Sequence, residues 1–321
     1  MLVSKLENTN KAMCCAFVGD RGVVVGREDG KLVECQLSRD NGLTFSVGDW
    51  VNHQTPVTCV VGSGQGDGVL SSDKGGNIHF HRQPETFTKL PQARIVNSVC
   101  FLNGEQYVLS AQQRGVVAKS HLETNTTIIL PTTHKLSESV SDVVCLDNGL
   151  IASTSTDCSA RVFDLNSNST THVYMLENYG RSLARGEGQY DLVVGSRSGT
   201  IRVFDYRMGL EPKLQVKAHK YGIGAISSRG GVLATCSSDR TCKVWKWTNG
   251  ELNLQYVFHE FDGGVSDVHL SKDHSQLLVS AYDCTVRLYD LAYGDRLLAR
   301  TVIEQAKLVP DLEPLITRFL W

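Results

Sequence analysis

No run of apolar residues in this chain approaches the ~20 needed to span a bilayer, so its fold has to be built from short segments. Charge of one sign is equally lacking: 32 Lys and Arg stand against 34 Asp and Glu, for a formal net charge of −2. That balance gives no global field to draw nucleic acid or an anionic membrane. No CxxC pair or Cys/His finger spacing occurs despite ten cysteines, and no secretory h-region opens the sequence. Several cysteines (Cys35, Cys100, Cys145, Cys242) fall inside strand patterns, where a thiol acts as a small apolar residue. The expectation is reduced thiols in a cytoplasmic or nuclear protein. The sequons at Asn125 and Asn168 are then chance matches in loops. A Pro-rich or Ser-rich linker is also missing, so 321 residues with 41% hydrophobic content read as one closed domain.

What the chain has is repetition. Seven times a short apolar run ends in a polar turn and restarts as an alternating strand, as in Val232-Leu233-Ala234 before Thr241–Trp245. The restarted strands end at Cys35, His81, Ser120, Phe163, Phe204, Trp245 and Tyr289, spaced 46, 39, 43, 41, 41 and 44 residues apart. A period of about 40–45 residues made of short strands marks a propeller blade. The predicted fold is therefore all-β, a seven-bladed β-propeller of four-stranded antiparallel blades. The blades fall near 12–50, 51–94, 95–133, 134–176, 177–217, 218–258 and 259–303, with 304–321 as a tail packed on the propeller or engaging a partner. In each blade the second strand is apolar on both faces, because neighbouring blades sandwich it. Gly30, Gly76, Gly115 and Gly199 give the following turn a residue that accepts positive φ. Elsewhere Asp157, Asp239 and Asp283 cap the turn through their carboxylates. Residues 1–6 and 296–302 compete as the outer strand of the last blade, and the sequence leaves that choice open.

With these residues in view the chain resembles the WD40 repeat family over nearly its whole length. The motifs carrying the resemblance are Val162-Phe163-Asp164, Val203-Phe204-Asp205, Val244-Trp245-Lys246 and Leu288-Tyr289-Asp290, with Ala218-His219, Phe258-His259, Asn52-His53 and Thr133-His134 as looser matches to the Gly-His position. The resemblance implies a buried hydrogen-bonded chain of His, Ser or Thr, turn Asp and Trp within a blade. The sixth unit carries the full set in His219, Thr235 or Ser237, Asp239 and Trp245. The fourth has His134, Ser153 or Ser155, and Asp157, with Phe163 in place of the last donor. The first three units are expected to lack the set.

The sequence carries few constellations of reactive side chains. Gly62–Gly68 is rich in glycine but misses the dinucleotide spacing and joins two strands. His79 and His81 share a strand face without a third ligand nearby, so no metal is expected. Asp157, Asp239 and Asp283 lie on different blades, and no Gly-x-Ser-x-Gly or His-Glu-x-x-His occurs. The expectation is a non-catalytic interaction scaffold without cofactor, a monomeric subunit of a larger complex binding proteins or peptides. No direct nucleic-acid binding or membrane insertion is expected. The turn and inter-blade loops would present Arg27, Lys74, Arg114, Arg181, Arg197, Tyr221, Arg240 and Tyr282, and Arg and Tyr are the side chains that anchor interfaces. The acidic neighbours Glu28 and Asp239 are expected to blunt Arg27 and Arg240. Phe204-Asp205-Tyr206-Arg207 resembles the Trp-Asp-x-Arg signature of WD40 substrate receptors on cullin-4 ubiquitin ligases, which implies Asp205 and Arg207 as adaptor-docking residues. A hydrolase acting at the channel mouth is the alternative of another class.

Overall fold

The computed structural model describes residues 2–292 apart from 8–9, 20–21, 38–42, 47–51, 65, 67, 83–85, 93 and 103–104. The described strands form seven four-stranded antiparallel sheets, each running from the channel to the rim in chain order except the last. The sixth blade is representative, with strands Ile223–Arg229, Val232–Ser237, Cys242–Thr248 and Glu251–Phe258. The seventh takes its inner three strands from Val265–Leu270, Gln276–Ala281 and Thr285–Asp290, and its outer strand from Leu2–Glu7. Leu6 pairs with Val286 and Glu7 with Thr285 across that seam, so the first strand of the chain closes the ring. The competing segment 296–302 and the tail 304–321 lie outside the described residues.

Seven buried apolar clusters hold the ring, one between each pair of neighbouring blades. Between blades four and five, for example, Ala152 and Val162 meet Leu192 and Phe204, and the Tyr174 ring stacks on Phe204 at 4.2 Å. The second strands Gly68–Asp73 and Asp191–Ser196 are buried at every residue, as expected for a strand covered on both faces. The turns follow the proposed chemistry. Gly199 sits at φ +79°, and a Cβ there would strike the His219 carbonyl, which excludes other residues. In blades four, six and seven the positive φ falls on Cys158, Arg240 and Cys284, each held by the preceding Asp, which accepts the N–H of the residue two further on.

One feature of the register is common to all blades. Near its start every inner strand slips against its neighbour: at Ala12/Cys14, Val57/Cys59, Val96/Ser98, Val140/Asp142, Gly180/Ser182, Ile223/Ile226 and Val265/Asp267. A bulge re-aims side chains, and here it turns them toward the next blade. The Asp142 carboxylate accepts from Ser98 Oγ at 2.6 Å in one neighbour and from the Leu183 N–H at 2.7 Å in the other. Ser182 Oγ takes the Ile226 N–H, and Asp267 the Cys15 N–H. One residue earlier, Thr58, Asn97 and Ser266 each donate to the first carbonyl of the next inner strand. The channel wall is thus sewn blade to blade by polar side chains.

Candidate functional site

The polar constellations are of two kinds, those that hold the blades and those that face solvent. In blade six the His219 ring donates Nδ1–H toward Asp239 Oδ2 at 3.2 Å, and its Nε2 meets Thr235 Oγ1 at 2.9 Å. Trp245 Nε1–H completes the chain by donating to Thr235 Oγ1 at 3.1 Å. Thr235 is therefore the hydroxyl member. Ser237 instead donates to the Gly222 carbonyl and accepts the Asp239 N–H. Burial pushes the His219 imidazole down to about 4, against the opposing pull of Asp239, so the ring is a neutral donor. For Asp239 burial acts upward, but the hydrogen bonds from Thr241 and the His219 contact hold it below its ordinary value.

Blade four repeats the arrangement with His134, Asp157 at 2.9 Å and Ser153 at 2.9 Å, while Ser155 ties to the Ser139 carbonyl. The expectation that the first three blades lack such a chain is corrected in blade two. There His53 Nδ1 lies 3.0 Å from Asp73 Oδ2 and its Nε2 lies 2.8 Å from Ser71 Oγ. In blade seven the loosely matched His259 is exposed and outside any chain. Arg287 takes the place instead, paired to Asp283 at 3.3 Å and laid over Phe261 at 4.3 Å. All of these groups are consumed inside blades.

The channel offers little reactive chemistry. A cavity of about 490 Å³ runs along it, lined among others by Cys14, Cys59, Asp142, Asp267 and His269. Burial pushes the Cys14 thiol well up and the Cys59 thiol up to about 12, so neither is a ready thiolate. Burial likewise raises Asp142 and Asp267, whose oxygens are engaged in the blade-to-blade bonds. Among the described residues no group of three or more His, Cys, Asp or Glu is arranged to hold a metal ion.

A second cavity, about 670 Å³, opens at the mouth of the channel on the face that carries the turns after each second strand. It shares Thr156, Arg181, Gly224, Ser266 and Tyr282 with the channel, so the two are continuous. Four of the eight expected interface residues meet here: Arg181, Arg197, Tyr221 and Tyr282. Two more line it that the sequence reading did not single out, Lys220 and Tyr179. Both lie in the connections entering inner strands, where loops adjoin the mouth; that position was the signal available. The Arg197 guanidinium sits 5.6 Å from the Tyr179 ring centroid and the Lys220 ammonium 5.3 Å from that of Tyr221.

The other four expected residues do not join this cavity. Lys74, Arg114 and Arg240 are exposed on their own turns. Arg27 is mostly covered and bound to Asp29 at 3.0 Å, while its neighbour Glu28 pairs with Lys11. Asp239 is likewise turned toward His219 rather than Arg240. Asp205 and Arg207 lie at the far end of their strand, on the opposite face. Arg207 forms a two-pronged pair with Asp205 at 2.9 and 3.2 Å, and its guanidinium stacks over Tyr190 at 3.7 Å.

A closed seven-bladed ring, intrablade His–Asp chains and a loop-lined mouth define a seven-bladed β-propeller. Residues 210–246 and 252–290 match the family described as WD domain, G-beta repeat, so the chain carries WD40 repeats there. It superimposes on the crystal structure of the WD40 beta propeller domain of Doa1 with a TM-score of 0.78 at 17% identity, covering 91% of this chain and 97% of that one. In sequence it is 30% identical to Protein RBL of Arabidopsis thaliana over 90 residues, 28% of this chain and 16% of that protein. It is 27% identical to the Nuclear distribution protein nudF of Aspergillus niger over 128 residues, 38% of this chain and 28% of the other. The chain thus spans under a third of the length of either of these relatives.

Proposed function

We propose that this protein is a non-catalytic scaffold that presents rigid loops to other proteins as a subunit of a larger intracellular complex, in the cytoplasm, the nucleus or both. The observation that carries the reading is the mouth cavity, where three exposed tyrosines and three cations stand on loops and one inner strand fixed by a closed ring. Tyrosine and arginine give large contact area with a polar end, and a preformed backbone loses little entropy on binding. The polar groups that could suggest catalysis are engaged within blades or between them.

A second reading, a substrate receptor of a cullin-4 ubiquitin ligase, draws support from Arg207, which is exposed yet held in one pose by Asp205 and Tyr190. One experiment addresses both. Tagged chain is recovered from gently cross-linked cells and sized by co-fractionation. The scaffold reading expects the chain in a stable assembly well above its own mass, and a chain running alone would overturn it. The receptor reading expects a cullin-4 adaptor in that assembly, lost on Arg207→Ala; an adaptor that persists in the variant, or never appears, would overturn it.

A further inference from the structure

The mouth cavity has an electrostatic character that general scaffold use does not explain. Arg181, Arg197 and Lys220 line it together, and all three are exposed. No ion pair joins any of them to a carboxylate among the described residues, and Asp142 and Asp267, which line the continuous channel with Arg181, are held by the blade-to-blade bonds. Asp239 serves His219, the Lys220 N–H and Thr241. Glu177 pairs with Arg202 at 2.8 Å, and Glu138 accepts from Thr156. The cations therefore stand at one opening without a direct carboxylate partner among the described residues, in a chain whose net charge is slightly negative.

Arg181 is the most telling of the three. At its position in the inner strand, blades two, three and seven use Thr58, Asn97 and Ser266 to bond the next blade's carbonyl. Blade five has a long cation there, which gives up that seam bond and reaches solvent at the mouth. The walls beside the cations are aromatic: Tyr179, Tyr221 and Tyr282 are 39%, 53% and 43% exposed. Gly222, on the rim, keeps the Arg197 backbone close, since a Cβ there would meet the Arg197 carbonyl at 3.1 Å.

We propose that this cavity binds a phosphorylated serine or threonine within an extended segment of a partner protein, resting on the scaffold reading above. A phosphate dianion is the group that several convergent cations neutralise best, and guanidinium matches it with two parallel bonds. Tyrosine faces and hydroxyls suit the peptide on either side of the phosphate. A membrane surface would require a broad basic or apolar field, and the other cations on this face are either dispersed, like Lys74 and Arg114, or paired, like Arg27.

The test uses the purified full chain and a fluorescent degenerate peptide library with a fixed central phosphoserine. The same library with serine or glutamate at the centre, and phosphatidylserine vesicles, serve as alternatives. Binding of the phosphorylated library, displaced by inorganic phosphate and weakened roughly tenfold for each of Arg181→Gln and Arg197→Gln, is the expected result. Equal binding of the serine or glutamate library would overturn the proposal, as would binding to vesicles but not peptides, or full affinity in the double variant. The comparison among libraries needs no variant, so a folding defect cannot mask the answer. If partners still co-fractionate with the double variant while no phosphopeptide binds wild type, the pocket assignment falls and the scaffold reading stands. A wild-type chain that binds phosphopeptide but enters no assembly would overturn the scaffold reading instead.

Discussion

Blades two and six solve the same internal problem with different residues. In blade six the acid that orients the histidine is Asp239, in the turn, four residues after the hydroxyl partner Thr235. In blade two it is Asp73, the last residue of the strand and only two after Ser71. The strands pair alike, Leu233 with Trp245 and Val69 with His81, so Asp73 occupies the place of Ser237, not that of Asp239. Where the turn aspartate would stand, blade two has Gly75, whose N–H is taken by Thr55 Oγ1 at 2.7 Å. Asn77 compensates for the shift by donating its backbone and side-chain N–H groups to Asp73. The blade needs a buried carboxylate beside the histidine; it does not need that carboxylate at one sequence position.

The largest expected effect breaks the comparison directly. Asp239→Ala strands the backbone N–H groups of Lys220 and Thr241 and leaves His219 Nδ1 only the Thr241 hydroxyl at 2.9 Å; Asp73→Ala removes the carboxylate beside His53 and strands the Asn77 N–H groups. Each buried donor left unpaired costs about 1–3 kcal/mol, so urea denaturation should show each variant destabilised by about 2–4 kcal/mol. A loss below about 1 kcal/mol for Asp73→Ala alone would show that blade two's chain is incidental.

Acid should separate the two blades without mutation. Burial lowers His53 from 6.5, and lowers His81 to about 4 with the charge of His53 adding to the effect. The stacking of His53 on His79 at 3.9 Å leaves little room for a second charge. Blade six has the single His219. A folded state that keeps imidazole neutral binds fewer protons than the unfolded chain below pH 6.5, so stability present above that pH is lost as pH falls toward 4. Below 3.8 the depressed carboxylates Asp73 and Asp239 add a further loss. Hydrogen exchange, corrected for intrinsic rates, should therefore accelerate more in strands Gly68–Asp73 and Asn77–Arg82 than in Val232–Ser237 between pH 6.5 and about 4.5. Equal acceleration would remove the distinction.

The same contrast explains what could be read from the sequence. The ring was legible because strand alternation and turn residues recur seven times, and each recurrence constrains the others. Blade six was legible because His219, Asp239 and Trp245 keep their spacing. Blade two was not, because Gly75-Gly76 marks the turn while the acid stands two residues early. Ring closure was ambiguous since residues 1–6 and 296–302 carry similar strand patterns, and only pairing of Leu6 with Val286 distinguishes the first. The mouth was half legible. Arg181, Arg197, Tyr221 and Tyr282 could be assigned to one face, but which of the face's cations converge depends on the curvature of the ring, and which are neutralised depends on contacts such as Arg27 with Asp29.

The aromatic end of the chain offers the finest test. Trp245 donates to Thr235 Oγ1, whereas blade four has Phe163 against an otherwise similar His134–Ser153–Asp157 chain. Trp245→Phe should therefore leave the blade's geometry in place, because Thr235 can still donate to His219 and only one acceptor lone pair is vacated. The expected loss is about 1–2 kcal/mol, one neutral hydrogen bond plus the smaller ring, read as a shift in urea midpoint with unchanged slope. A loss as large as that of Asp239→Ala would mean that the indole, not the carboxylate, holds the chain together. A loss near zero would mean that blade six gains nothing over blade four from its final donor, and that the acid, imidazole and hydroxyl shared by blades two, four and six suffice.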